Sequence, residues 1–314
     1  MSRSNKQEKR SKHEEYKKQR PKKLRDMSAF IKECDENLSK RMDGISREIC
    51  ADSQIKLIGL IGPTCAGKTT AANMLEKSFS VMGKKLHSIS IDDFYYDTDV
   101  LHRRSREGEI DYDSPDTIDV AELRRFVNEI FANDRSHCPI FDFTKGKRNG
   151  YREYECGEDD LFLFEGIQVL YPEISKIFSE SGHPSVEIYI APQGSLEIGG
   201  SVFVPNEIRF MRRIVRDRKF RGAEAEFTFS LWKSVRENEE KNIFPYVEKC
   251  KYSIDTTMPY EIGVLKPFLV SALECVPTDS PYRKEADEML TKIENVIPVS
   301  HELIPKNSIY KEFV

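Results

Sequence analysis

Residues 62 to 69 read Gly62-Pro63-Thr64-Cys65-Ala66-Gly67-Lys68-Thr69, a match to G-x-x-x-x-G-K-[ST]. In such a segment the glycines let the chain curl until successive amides and a helix N-terminus face phosphate oxygens. Lys68 then neutralises the β and γ phosphates, and the Thr69 hydroxyl is placed to ligate Mg²⁺. With Thr70 next in the chain, the segment is expected to hold ATP and Mg²⁺. A chance match in a structural turn is the bland alternative; it is disfavoured by the apolar run before the motif and the helical pattern after it.

Acids supply the second group of chemical residues. Asp92 and Asp93 follow the apolar segment KLHSISI, and Glu165 follows LFLF and precedes Gly166. A carboxylate at the tip of a buried strand faces the ligand crevice of an open α/β sheet. Asp92 is therefore a candidate general base that accepts a hydroxyl proton during phosphoryl transfer and steers the metal. Asp93 is read as a helix cap or a solvated side chain. Glu165 is expected to hold Mg²⁺ directly or through water, the alternative being an acid that merely ends a strand. The metal set expected is thus Thr69, Asp92 and Glu165. Arg209, Arg212, Arg213, Arg216, Arg218 and Arg221 crowd one segment. At helical spacing Arg209, Arg212, Arg213 and Arg216 share one side, where a positive stripe could close over phosphates; a solvated helix face is the alternative. Cys65 lies among amide dipoles that favour an anion, which would lower its thiol pKa, or it is a small filler.

The elements that must present these residues alternate. IKLIGLIG predicts a buried strand, TTAANMLEKSFSVM a helix and KLHSISI a second strand. Asp119 and Glu122 form a D-x-x-E signature that opens a helix through Phe131. Further strand signals at PIFDF, YREYEC, LFLFEG and VEIYIA predict a doubly wound, mostly parallel sheet with helices on both faces. Helices are expected at 207–219, on through the AEAEF segment, and around 261–276 and 281–296, with a short strand at YSIDT. The fold class is α/β, of the P-loop NTPase type, with a helical lid near 207–243.

Before this domain, which is taken as 51–314, two segments stand apart. Residues 1–25 carry eleven Lys/Arg against three Glu, a balance of +8, so the net charge of -4 leaves the remainder near -12. Residues 1–26 are expected to be a disordered basic arm, since almost no aliphatic residue is present to offset backbone ordering. Met27, Phe30, Ile31, Leu38, Met42, Ile45 and Ile49 recur at near-helical spacing and predict an amphipathic helix over 27–50. So acidic a globular part is a poor general binder of nucleic acid, which leaves the arm as the one route to a polyanion. With 39% hydrophobic residues, no run near the roughly 18 apolar residues that span a bilayer and no signal peptide, the expectation is a cytoplasmic protein with no membrane partner. The seven scattered cysteines, without a C-x-x-C pair, are read as reduced thiols.

Taken in order, GPTCAGKTT, SIDDFYYD, EIDYDSPDTIDV, PIFDFTKGKR, LFEGI, RRIVRDRKFRG, LWKSVRENEEKNIFPY and IPKNSIYKEFV resemble the uridine kinase and phosphoribulokinase family, and within it the bacterial-type nucleoside kinases that often carry a TGS domain, here absent. The resemblance runs from about Leu57 onward. It implies that Asp92 rather than Asp93 is the base, that Lys68 and Arg212 join it in catalysis, and that Arg216 and Arg221 serve nucleotide binding in a lid region. It also implies that Tyr95, Tyr112, Asp113 and Phe141 border the acceptor, with Asp113 and Arg209 near ribose hydroxyls. Where uridine-cytidine kinases have a Tyr and a His that recognise the pyrimidine, this chain has Phe141 and Gly146. Base selection is therefore expected to be relaxed, with Lys145 or Lys147 as substitutes for the lost contact or as solvated loop charges.

Together these residues describe an ATP- and Mg²⁺-dependent kinase whose small-molecule partner is a nucleoside phosphorylated at a primary hydroxyl. A kinase of another small metabolite and a nucleotide-dependent regulatory or RNA-contacting protein without turnover remain the alternatives. A homo-oligomer is compatible with the sequence.

Overall fold

The computed structural model describes residues 24–104 and 114–314. Most of the basic arm, together with Tyr112 and Asp113, lies outside the described residues. The described residues open with α1 (Leu24–Cys50), whose apolar stripe of Ile31, Leu38, Met42, Ile45 and Ile49 is buried. Each such side chain contributes on the order of 1.5–3 kcal/mol on removal from water, enough to dock the helix on the α/β domain.

Next come β1 (Leu57–Ile61), α2 (Lys68–Val81) and β2 (Lys85–Ser90), then a 3₁₀ turn Ile91–Phe94 and α3 (Thr98–Arg104). Asp119 caps α4 (Val120–Ala132), accepting from the Glu122 amide at 3.0 Å. After it lie β3 (Arg135–Asp142), β4 (Lys147–Glu155), β5 (Asp160–Glu165), a 3₁₀ turn Ile167–Leu170, α5 (Pro172–Glu180) and β6 (Ser185–Ala191). A small hairpin of β7 (Leu196–Ile198) and β8 (Ser201–Phe203) leads into α6 (Pro205–Arg221) and α7 (Ala225–Asn242). The chain closes with β9 (Tyr252–Asp255), α8 (Glu261–Glu274), α9 (Arg283–Ile293) and short 3₁₀ turns at His301–Leu303 and Ile309–Glu312.

Five strands form one parallel sheet in the order β2-β5-β1-β6-β9. Both faces are covered, which explains why the central strands β1 and β5 read as continuous apolar runs rather than alternating ones. Ile58, Leu60, Leu161, Leu163, Val186 and Ile188 point into one core with α1, α2, α6 and α8. Leu57, Ile61, Phe162, Phe164 and Tyr189 point into the other, against α4 and α5. Helices thus cover both faces of a parallel sheet, the α/β P-loop architecture expected. One part differs. The PIFDF and YREYEC segments do not enter this sheet; β3 and β4 pair only with each other, antiparallel, as a ribbon beside it. Because β4 is exposed at most of its positions, it could not serve as a central strand; alternation alone does not say which sheet a strand joins. Among the described residues no helix is long and apolar enough to cross a membrane.

Candidate active site

The motif at 62–69 joins the carboxyl end of β1 to the N-terminus of α2. Gly67 sits in the left-handed region at φ 94°, and a Cβ there would fall 2.4 Å from Cδ1 of Ile309, so only glycine fits. Cys65 also holds a positive φ, 58°, unusual for a residue with a side chain. The groups that impose this curl lie behind the loop. Its three successive carbonyls each accept a hydrogen bond: Thr64 O from Arg209 Nη1 at 3.2 Å, Cys65 O from Arg212 Nη1 at 3.2 Å, and Ala66 O from the Thr256 hydroxyl at 3.0 Å. The Ala66 amide donates back to the Pro63 carbonyl at 3.2 Å; with the three carbonyls tied back, the loop amides still free are left to draw an anion.

These arginines correct the expected stripe. Arg209 and Arg212 are buried, at 1% and 0% exposure. Arg209 forms a bidentate fork with Glu239 of α7 at 2.6 and 2.7 Å, and its guanidinium lies over Trp232. Arg212 pairs with the equally buried Glu261 at 2.9 Å and also donates to the Thr256 carbonyl at 2.7 Å. Tyr310 and Phe313 flank its guanidinium. The face of α6 that would have been a lid is covered by α7, α8 and the segment around Tyr310, so neither side chain is free to reach a ribose or a transferring phosphate. Arg213 and Arg216 lie half-buried around the buried Asp217, at 3.2 and 2.7 Å, with the exposed Arg221 at 3.6 Å. Burial pushes the Cys65 thiol up rather than down. Of the two readings of Cys65 this favours the small filler over the reactive anion: desolvation outweighs the pull of Arg216.

The acids stand at the same edge. Ser90 of β2 and Leu60 of β1 both pair with Glu165 of β5, so Glu165 sits between the loop and the turn that carries Asp92. Burial pushes the carboxyls of both Asp92 and Glu165 above their ordinary range, while the charge of Lys68 pulls each back down. Asp92 accepts from Gln168 Nε2 at 2.9 Å and from the Tyr95 hydroxyl. Asp93 is structural, since its Oδ1 accepts from the Phe141 amide at 3.1 Å and ties the β3–β4 ribbon to the 3₁₀ turn. Thr69, the second residue of α2, is exposed, and Thr70 donates to Glu312 at 3.4 Å.

Beside Asp92 the ribbon builds an aromatic wall. Tyr95 and Phe141 are buried with ring centroids 5.6 Å apart, and Phe143, 65% exposed, lies 5.1 Å from Phe141 and 6.2 Å from Tyr95. Gly146 serves the backbone: at φ 61° its carbonyl accepts from Thr98 N at 2.8 Å, and a Cβ would fall 2.3 Å from the Thr98 hydroxyl. Lys145 is exposed and pairs with Asp142 at 3.1 Å; Lys147 is exposed at the start of β4.

Sequence reasoning missed Gln168, Thr256, Phe143 and the acids Glu239 and Glu261. Phe143 alone carried a signal, as an aromatic two positions on from Phe141 in the stretch that leads to the turn.

The sequence profile of the Phosphoribulokinase / Uridine kinase family matches residues 57–260. Uridine-cytidine kinase C of Dictyostelium discoideum is 30% identical over 124 residues, 40% of this chain and 25% of that protein. Uridine kinase of Borrelia turicatae is 24% identical over 208 residues, 65% of this chain and 86% of that protein. Uridine kinase of Mycoplasma genitalium is 25% identical over 212 residues, covering 65% and 84%. Among solved structures, phosphoribulokinase from Rhodobacter spheroides superposes with a TM-score of 0.45 at 18% identity, covering 67% of this chain and 75% of that one.

Proposed function

This chain belongs to the phosphoribulokinase / uridine kinase family, and on that footing we propose that it transfers the γ-phosphate of ATP to a primary hydroxyl of a nucleoside. In the reaction the acceptor O–H bond breaks as its oxygen bonds to the γ-phosphorus. The bond from that phosphorus to the β–γ bridging oxygen breaks, and ADP leaves with the electron pair. Asp92 takes the acceptor proton. Lys68 and the free amides of the loop at 62–70 would hold the phosphates, with Arg216 and Arg221 proposed as further cations.

One observation carries the reading: two largely buried carboxylates, Asp92 and Glu165, meet at the same sheet edge within reach of the Lys68 charge. A P-loop that merely binds nucleotide with Mg²⁺ uses one such acid; a second, beside an acceptor pocket, is what a transferase needs as proton acceptor. The pair also suits Mg²⁺. Desolvated carboxylates held above their ordinary pKa gain from a divalent cation, and Mg²⁺ is typically held by one or two carboxylates together with substrate phosphates. Among the described residues no cluster of three acids, histidines or cysteines forms a protein-only cage, so Asp92, Glu165 and Thr69 are the groups that would hold the ion. Bound there, it would neutralise charge on the β and γ phosphates.

The wall of Tyr95, Phe141 and Phe143 supports a flat, stackable acceptor. Its one hydroxyl, on Tyr95, is engaged with Asp92 and Gln168, and an apolar wall discriminates weakly, so relaxed base selection is part of the proposal. The test is turnover of ATP with Mg²⁺ against a panel of nucleosides, 2′-deoxynucleosides and sugar alcohols, following ADP. Lys68→Ala should lose ATP affinity and turnover together, whereas Asp92→Asn should lose turnover and keep ATP. ATP binding without turnover on any acceptor would favour a regulatory protein instead.

A further inference from the structure

Gln168 lies in the 3₁₀ turn that directly follows Glu165 and is 3% exposed. Its Nε2 donates to Asp92 Oδ1 at 2.9 Å and lies 3.2 Å from the Tyr95 hydroxyl, which itself donates to Asp92. The orientation of the amide is fixed chemically. A carboxylate only accepts, so the NH₂ end must face Asp92. Oε1 then faces away, against Gly166, where a Cβ would fall 2.5 Å from it; among the described residues Oε1 finds no donor. An uncharged side chain is thus buried at some cost for the sake of two contacts, with the proposed base and with the hydroxyl that also donates to it.

We propose that Gln168, seconded by Tyr95, is a positioning residue that fixes the Asp92 carboxylate toward the acceptor hydroxyl. The proposal rests on the reading of Asp92 as proton acceptor. An aspartate on a short turn can rotate about two side-chain bonds; two donors from different elements, the turn after β2 and the turn after β5, hold it to one orientation. Proton transfer coupled to phosphoryl transfer depends on that aim, since a displacement of about 1 Å in a reacting group can cost on the order of 10²-fold. In this arrangement a single loop presents Glu165 and aims Asp92, so the two acids are set by one piece of backbone.

The experiment is a double-mutant cycle on the full chain. Gln168→Leu removes the donor and keeps the volume; Tyr95→Phe removes only a hydroxyl and leaves the ring in the aromatic wall. Both should lower kcat, Gln168→Leu by about 10- to 100-fold and Tyr95→Phe by less, with the Kd for ATP unchanged. Combined with Asp92→Asn, neither should lower the residual rate further, because there is no longer a carboxylate to aim. The proposal is overturned if the loss in kcat persists undiminished in the Asp92→Asn background, or if Kd for ATP worsens in step with kcat in both variants. Should Gln168→Leu fail to fold, the Tyr95→Phe cycle gives the same decision. Near-normal turnover in Asp92→Asn would instead remove the reading of Asp92 itself, and this proposal with it.

Discussion

Replacing Arg212 by methionine separates two roles for this side chain that are easily confused. Arg212 donates to Glu261, the Tyr310 hydroxyl, the Cys65 carbonyl, and the hydroxyl and carbonyl of Thr256, all in the interior. Removing the cation leaves the fully buried Glu261 with the Met258 amide as its remaining donor at 2.8 Å. Breaking such a pair from one side costs about 3–5 kcal/mol. At about 2.1 cal/mol/K per residue, a chain of 314 residues unfolds with an entropy of about 0.66 kcal/mol/K, so Tm should fall by about 5–8 °C. The double variant Arg212→Met/Glu261→Met replaces both charges by apolar side chains of similar size and should recover most of that loss. It should not recover ATP binding. The Cys65 carbonyl has lost a charged donor worth about 1.5–3 kcal/mol; if half of this is felt as loosening of the loop, ATP affinity falls by about 4- to 13-fold. Thermal unfolding monitored by circular dichroism, with calorimetric titration of ATP, reads both effects. A Tm within 2 °C of wild type for the single variant, or wild-type ATP affinity in the double variant, would refute the reasoning. A residue that instead touched the transferring phosphate would lose kcat with Tm intact.

Three further outcomes are expected. Asp92 and Glu165 have folded-state pKa values raised by burial, so the stability they contribute is full below their unfolded values and is lost as pH rises through the folded ones; at pH 7 without nucleotide, Asp92→Asn and Glu165→Gln should therefore each raise Tm, and the gain should shrink toward pH 4 in a melting series. Cys65, buried and with its thiol pushed up, should react with a maleimide no faster than the protein unfolds, with or without ATP; rapid labelling of the native state, read by mass spectrometry, contradicts this. Phe143→Ala should raise KM for a nucleoside acceptor by roughly 5- to 150-fold, the worth of one lost stacking partner at about 1–3 kcal/mol, with kcat little changed; an unchanged KM would take Phe143 out of the acceptor wall.

The loop at 62–69 and the two strand-tip acids were legible because each is local: a spacing, an apolar run, a residue type at its end. The groups that support them were not. Arg209 and Arg212 follow helical spacing as a solvated stripe would, and their partners Glu239 and Glu261 lie 30 and 49 positions on, in helices that only the folded chain brings together. Gln168 is 76 residues from Asp92, and an amide after a strand carries no charge or periodicity to mark it. Periodicity likewise revealed β3 and β4 as strands while leaving their partners open, since register belongs to tertiary packing.

The segment that carries Ile309 and Tyr310 gives the phosphate loop a history in time. Ile309 lies against Gly67, Tyr310 against Arg212, and Glu312 reaches Thr70 across 242 positions of sequence. At about 5–20 residues per second, a ribosome needs about 12–50 s to travel from one to the other. Throughout that interval β1 and α2 exist without the side chains that press the loop into shape. Contacts so distant in sequence also close late and slowly during folding. On the proposed function, ATP would therefore reward only a chain synthesised past Glu312; one that stops short of it would lack the side chains that brace the loop and would gain no ligand protection.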